Sequence, residues 1–441
     1  MKTFTETRDN QMVTEFSAAG REPSGQRVGT TKNNRKAYAL PLPIAALGFV
    51  LVQSASVSAA DWTQFRGSAT DSIAVAETLP TELSGDAIAW QADLPGRGLS
   101  GPIIVGDQVV VTASSGYQDD RLHIISMNAA TGEQQWERQF QAMGRTVAHP
   151  KMCVATPTPA TDGERIYAFY SSNDLICTDM EGNLQWYRGL GAEFPNASNS
   201  LGMSSSPVVI GSTVVAQVES DAEAFAIGVD VVSGETKWKL DRPRKANWSS
   251  PTVLPSIGDR PALALLQSSA GLTAVDPESG TELWTFNNGA STVPSATVSD
   301  GKIIVPSNGL TILQPSADGT SFESVSNVKG AKPGTPSPLV LNGMMFSVNG
   351  TGVLAAADME TGERLWQLRL HGKFSSTPLA SNGHLYFFSE KGMASVVRPT
   401  PEAGEIVSQL DLTETILCSP AAANDALYVR SDGHIWKFAK R

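Results

Sequence analysis

Five histidines and three cysteines offer the most readily recruited chemistry in this chain of 441 residues, and they are sparsely placed. His149 alone falls in a long polar connection, residues 141–154, with Arg145 and Lys151 nearby. An imidazole between two cations could bind a ligand or move a proton, and a single histidine can equally be a plain surface or core residue. His123, His371, His384 and His434 are dispersed, so no pair has metal-ligand spacing and no metal is expected. Cys153, Cys177 and Cys418 are odd in number and match neither a zinc nor a haem spacing, which predicts buried free thiols rather than a disulfide framework. The sequence has no Gly-x-Ser-x-Gly elbow and no phosphate-binding Gly-rich loop, and most aspartates belong to turns, so no residue is assigned a catalytic role.

Two more connections carry groups that could hold a ligand or a partner. Residues 191–203 include Asn196 and Asn199, and Asp241-Arg242-Pro-Arg244-Lys-Ala-Asn247-Trp248 places three cations beside a tryptophan that stands outside any regular spacing. Such a cationic spot could hold an anionic group. The alternative is a solvated loop with Trp248 packed at a channel mouth. Arg97, next to Gly98 and ahead of the first repeat, completes the candidate set.

The elements that must position these groups repeat. Asn128-Ala-Ala-Thr-Gly132-Glu-Gln-Gln-Trp136 recurs as Asp230-Val-Val-Ser-Gly234-Glu-Thr-Lys-Trp238, Asp276-Pro-Glu-Ser-Gly280-Thr-Glu-Leu-Trp284 and Asp358-Met-Glu-Thr-Gly362-Glu-Arg-Leu-Trp366. A copy one residue shorter ends at Trp186, and Trp90 and Trp436 flank the series. Asp or Asn can accept backbone N–H bonds across a turn and Gly supplies a positive φ, so each copy reads as a hairpin that places Trp on the outgoing strand. A second column runs in phase, with Pro102, Pro159, Pro207, Pro251, Pro338, Pro378 and Pro420 each opening an apolar segment and Ala296 filling the gap. The offsets of 57, 48, 44, 45, 42, 40 and 42 residues define eight units of four short strands. Units five and seven carry Phe322 and Ile406 near the expected Trp position.

Four antiparallel strands per unit describe a propeller blade, which cannot bury both faces alone and must stack on its neighbours with Trp wedged between. The predicted fold is therefore all-β, an eight-bladed propeller over 86–441. The strand around Trp90 completes the last blade, and 60–85 form an N-terminal segment packed on the ring. Residues 141–154 and 191–203 are longer than the architecture needs, whereas Asn287 to Thr292 and His371 to Phe374 are short, which places any site over blades 1 to 4.

The Asp-x-x-(Thr/Ser)-Gly-x-x-x-Trp repeat resembles the quinoprotein-like (PQQ-like) propellers over about residues 86–438, and Asp61-Trp-Thr-Gln-Phe-Arg-Gly67 looks like the start of their exported bacterial members. The resemblance implies one of two roles. The first is a quinone-dependent dehydrogenase holding PQQ and Ca²⁺ in the channel. Many such enzymes use a disulfide of adjacent cysteines and a Glu, Asn and Asp metal set, and neither can be assigned here, so that cofactor pair is disfavoured. The second is a non-catalytic platform like the outer-membrane assembly factor BamB, whose N-terminal lipid-bearing Cys this chain lacks. A scaffold that binds an envelope protein or peptide is the reading that follows, with an unrecognised hydrolase as a third alternative.

Composition narrows the partners. There are 33 Lys and Arg against 44 Asp and Glu, a net charge of −11, which excludes a basic nucleic-acid binder. Residues 1–59 read as a signal peptide with a long polar leader, an apolar run from Ala37 to Val52 and a small-residue patch before cleavage at Ala59 or Ala60. The run is too short and too interrupted by proline for a typical span, and no later run is long enough, so an exported, periplasmic or envelope protein without an integral membrane domain is expected, as a monomer.

Overall fold

The computed structural model describes residues 61–198 and 200–440, all within the unit Ser54–Arg441. The signal-peptide expectation over 1–59 lies outside the described residues, as does Asn199. Eight separate four-stranded antiparallel sheets form the ring. Blade 1 runs through Ile103–Val105, Gln108–Ser115, Arg121–Asn128 and Gln134–Gln141, from the channel outward. The same order recurs to blade 7, which ends with Gly404–Asp411. Blade 8 takes Ala421–Ala423, Ala426–Arg430 and His434–Ala439 from the C-terminal end, and its outer strand is Ile88–Asp93 from before blade 1. Trp90 therefore holds the outer-strand position of blade 8. Trp436 stands on the third strand of that blade, so it is not an equivalent of the other repeat tryptophans.

The turn motif staples each blade to the next. Asp230 Oδ1 accepts from the N–H groups of Val232 and Ser233, and Gly234 has φ 73°. Asp276 and Asp358 repeat this with φ 72° at Gly280 and Gly362. The indole of the preceding blade then lies on the turn glycine and donates to a turn carbonyl. Trp90 meets Gly132 and Ala129 O, Trp136 meets Gly182 and Met180 O, and Trp186 meets Gly234 and Val231 O. Trp238 continues the pattern on Gly280 and Pro277 O. Where blade 5 has Phe322 in place of Trp, Gly362 faces only Val328 and Ser326.

The N-terminal segment crosses one end of the channel and touches the innermost part of every blade. Trp62 pairs with Ile104, Thr161 N–H donates to Thr63 O, and Val209 N–H donates to the Gln64 side chain. Val253 N–H donates to Thr70 Oγ1, and Ser72 and Ala74 bracket Ala380. Arg66 bridges blades 5 and 6 through Ala296 O, Thr297 Oγ1 and Pro338 O at 2.6–3.1 Å. Thr78 N–H donates to Asp425 of blade 8.

Candidate functional site

The residues just before each inner strand form a second set of staples. Gly101 N–H donates to Thr158 Oγ1 at 2.9 Å, Thr158 N–H to Ser206 Oγ at 3.0 Å, and Ser206 N–H to Ser250 Oγ at 2.9 Å. The chain of bonds continues from Ser250 to Ser295, Ser295 to Ser337, Ser337 to Thr377 and Thr377 to Ser419, at 2.9–3.1 Å. Seven hydroxyls thus ring the channel, with Gly101 in the eighth place. The contacts of the N-terminal segment fall mostly three residues further along, at Ile104, Thr161, Val209, Val253 and Ala380. At about 3.3 Å per strand residue the segment crosses about 10 Å below the ring.

The result is a well of about 330 Å³, floored by Phe65 and open on the face that carries the connections between blades. Its upper wall comes from the residue two positions before each ring residue: Leu99, Thr156, Ser204, Trp248, Val293, Thr335, Ser375 and Leu417. Extended backbone sends residues i and i−2 to the same side, so one segment per blade supplies both tiers. His149, Lys151, Met152 and Cys418 complete the lining.

Of the groups singled out in the sequence, His149, Lys151 and Trp248 come together at this well. Lys151 N–H donates to His149 Nδ1, which leaves Nε2 to carry the proton of the neutral ring. The Lys151 ammonium pairs with Glu390 at 2.8 Å. Burial alone would raise the Glu390 carboxyl, but Lys151 and the Ser375 hydroxyl hold it below its ordinary value. Trp248 Nε1 donates to Gly202 O, so it ties its own loop to the 191–203 connection. Arg97 does not face the well. Its guanidinium binds Asp432 and the carbonyls of Pro150 and Met152, which fixes the strand of chain beside His149.

The other candidates lie elsewhere. Arg145, Asn196 and Arg244 are exposed. Arg242 is buried against Glu219 at 2.9 Å, and Asn247 is buried with its amide on Gln267 O, so the cationic stretch does not converge on an anion site. Expecting a site over blades 1 to 4 accounts for His149, Lys151 and Trp248, yet the well draws on all eight blades because the two tiers are set by the repeat and not by loop length.

The three cysteines are buried and free. Burial raises their thiols, that of Cys418 to about 11, so the thiolate needed for reactivity is disfavoured. Blade 1 holds an array with the order of a nucleophile, base and orienting group. Ser115 Oγ lies 2.7 Å from His123 Nε2, and His123 Nδ1 lies 2.6 Å from Glu137 Oε1. The imidazole is only 2% exposed and none of the three lines the well.

The PQQ and Ca²⁺ pair fits this lining poorly. Ca²⁺ takes six to eight oxygens, normally with carboxylates among them, and the well contains no carboxylate. Among the described residues no group of three His, Cys, Asp or Glu is placed to hold a metal.

A family model described as outer membrane protein assembly factor BamB matches residues 10–252, 202–292 and 268–399. The chain belongs to that family. Among solved structures, BamB from Moraxella catarrhalis is 17% identical with a TM-score of 0.60, covering 80% of this chain and 97% of its own. A europium-containing methanol dehydrogenase gives 12% and 0.65, covering 87% and 98%. The quinohemoprotein alcohol dehydrogenase from Comamonas testosteroni gives 13% and 0.63, covering 87% and 81%. At these identities the structural likeness shows a shared PQQ-like propeller fold and no activity. No curated protein sequence matches the chain. Sequence reasoning found the family and the Trp staple, but it missed Phe65 and the hydroxyl ring. The signal for the ring was present in the Ser or Thr that precedes most of the column prolines.

Proposed function

We propose that this BamB-family propeller is a non-catalytic platform of the bacterial cell envelope that holds a protein or peptide partner on the face where the well opens. The observation that carries the reading is an apolar set on the two long connections. Met143, Val147 and Leu201 are exposed, and the connections bearing them are joined by a bond from His149 N–H to Leu201 O and by packing of Gly202 on Ala148. Apolar side chains held in solvent by an ordered scaffold favour docking of another surface. Export through residues 1–59 belongs to the same reading and places the partner outside the cytoplasm. No helix among the described residues is long and apolar enough to cross a membrane.

The test is a photo-crosslinking residue at position 147, in intact cells, with and without Met143→Glu and Leu201→Glu. The expected result is one discrete crosslinked species that the two substitutions abolish. A species that survives both, or none at all, overturns the reading.

A further inference from the structure

The N-terminal segment that closes the lower end of the channel does not serve the eight blades equally. Ile104 of blade 1 exchanges both of its main-chain bonds with Trp62, and Ala380 of blade 7 donates to Ser72 O and accepts from Ala74 N–H. In blades 2, 3 and 4 the N–H groups of Thr161, Val209 and Val253 donate to Thr63, Gln64 and Thr70. The equivalent positions in blades 5, 6 and 8 are Val298, Val340 and Ala422, and among the described residues none of the three bonds to the segment. Ala422 shares a core with Ala74 and Leu79 of the segment, whereas the cores that hold Val298 and Val340 include no residue of it. Ile104 and Ala380 stand opposite Val109 and Leu385, one residue from the pair that closes each hairpin, and Val298 and Val340 stand opposite Ile303 and Met345 in the same register. The N–H and C=O groups of both valines are therefore turned toward the axis, as in blades 1 and 7, and the segment leaves them unused.

Beside these two strands lies a groove of about 530 Å³, on the face opposite the mouth of the well. One side is the segment itself, through Ala69, Asp71, Ile73 and Val75. The other is formed by the inner hairpin turns of blades 5, 6 and 7, through Asp300, Asn342 and Asn382. Pro255, Val298, Val340 and Leu341 add apolar surface, and Val75 is 84% exposed. The charge is of one sign, since Asp71 and Asp300 line the groove and no Lys, Arg or His does. Asp71 Oδ1 accepts from Ile73 N–H at 2.9 Å. Burial raises its carboxyl above the ordinary value, opposed by that N–H and by Arg66, so a further cation against it would be favourable. Apolar walls, unused strand-edge groups and carboxylates without cations complement an extended chain that carries a positive charge.

We propose that this groove docks an extended segment of a partner protein in which a Lys or Arg stands between apolar residues, its main chain pairing with Val298 and Val340 and its cation lying against Asp71 and Asp300. The protein's own segment is the template, because Trp62, Thr63 and Gln64 are three successive residues that meet three successive blades. The docked chain would do for blades 5 and 6 what they do for blades 1 to 3. This goes beyond the platform reading, which concerns Met143, Val147 and Leu201 on the opposite face.

The test is a saturation-transfer NMR titration of the protein with three capped peptides: Thr-Val-Lys-Val-Thr, the same peptide with Glu at its centre, and the Lys peptide N-methylated on both valines. Saturable binding of the first, at least about fivefold tighter than either of the others, is expected. Val75→Lys adds a cation at an exposed position and should abolish binding of the Lys peptide, whereas Val75→Glu should tighten it severalfold. Val340→Pro removes an N–H that the blade's own ladder does not use, and should weaken binding with little change in the melting temperature. Equal binding of the Lys and Glu peptides, equal binding of the N-methylated one, no saturable binding at all, or binding that Val75→Lys leaves intact overturns the proposal. Sedimentation showing a dimer that Val75→Lys dissociates would put a second copy of the chain in the groove and overturn it as well. Because the probes are defined peptides, failure here is distinct from a failed crosslink at position 147.

Discussion

The indole of Trp238 occupies the space above Gly280 of the next blade so closely that a Cβ on that glycine would come within 2.6 Å of the ring. The same indole donates to Pro277 O at 2.8 Å. One tryptophan thus reads both the conformation of the neighbouring turn, through a residue at φ 72°, and its register. Gly280→Ala combines a strained positive φ with an overpacked contact and should destabilise by about 2–4 kcal/mol. Trp238→Ala leaves a cavity between blades and should cost about 3–5 kcal/mol. Urea melts of the two variants check this, and a loss below about 1 kcal/mol for both would show that the staple does not hold the blades.

Hydroxyls that bridge blades make a second prediction. Ser250 N–H is buried and its acceptor is Ser295 Oγ. Ser295→Ala orphans that donor and should cost about 1–3 kcal/mol, whereas Ser295→Thr should be close to neutral. A thermal melt in which both variants behave alike would separate the ring from stability altogether.

How far these devices could be read in advance follows from their periodicity. The Trp, Gly and Pro columns recur eight times with few gaps, so the blades, their strand count and the pairing of Trp90 with the last blade were legible. The two tiers of the well occupy the same segments, but Ser or Thr ahead of proline reads equally well as turn punctuation, and its meaning appears only when eight copies face one axis. The segment from Trp62 to Thr78 meets the blades at uneven intervals and through a mixture of backbone and side-chain groups, so it leaves no period to detect. Arg242 looked like a loop cation because its partner, Glu219, stands 23 residues upstream on another strand.

Sealing of the channel by the N-terminal segment rests heavily on Arg66, which is 2% exposed and makes four hydrogen bonds, including one to Ser72 Oγ at 3.1 Å. Burial pulls its guanidinium down to about 10, with the Asp71 carboxylate opposing the fall. At neutral pH it remains charged, so Arg66→Ala should take a charged donor from Ala296 O, Thr297 Oγ1 and Pro338 O, although the Thr252 and Thr297 hydroxyls still serve the two carbonyls, and should cost about 2–3 kcal/mol. The local consequence is sharper: hydrogen exchange at Ala74 and Ala380 should accelerate, since their N–H groups bond across the plug. Unchanged exchange there would mean that the segment is held without Arg66.

The exposed turn aspartates predict the acid limb of stability. Asp318 is held down to about 2, first by the Ser316 hydroxyl and then by the Thr320 N–H, and Asp358 is lowered first by the Thr361 N–H. A carboxyl depressed in the folded state stabilises it fully above the unfolded value, about 3.9, and that contribution disappears as pH falls through the folded value. Stability should therefore drop between about pH 4 and 2, and Asp318→Asn should flatten that part of the profile. A melt series in which the variant and the parent keep the same slope would remove Asp318 as a cause.

Ser115, His123 and Glu137 lend themselves to a decisive experiment because their distances imitate a hydrolase while their surroundings do not. Tyr170 Oη donates to His123 O from the next blade, Gln139 Nε2 donates to Glu137, and the imidazole is sealed from solvent, which are the features of a packed polar network. A nucleophile needs room for a carbonyl carbon about 3 Å away and donors for the developing oxyanion. A fluorophosphonate probe should accordingly leave Ser115 unlabelled by mass spectrometry, while His123→Phe should lower stability by about 1–2 kcal/mol through the loss of its hydrogen bonds to Ser115 and Glu137. Stoichiometric labelling of Ser115 that His123→Phe abolishes would reverse the assignment and make blade 1 a site of acyl transfer.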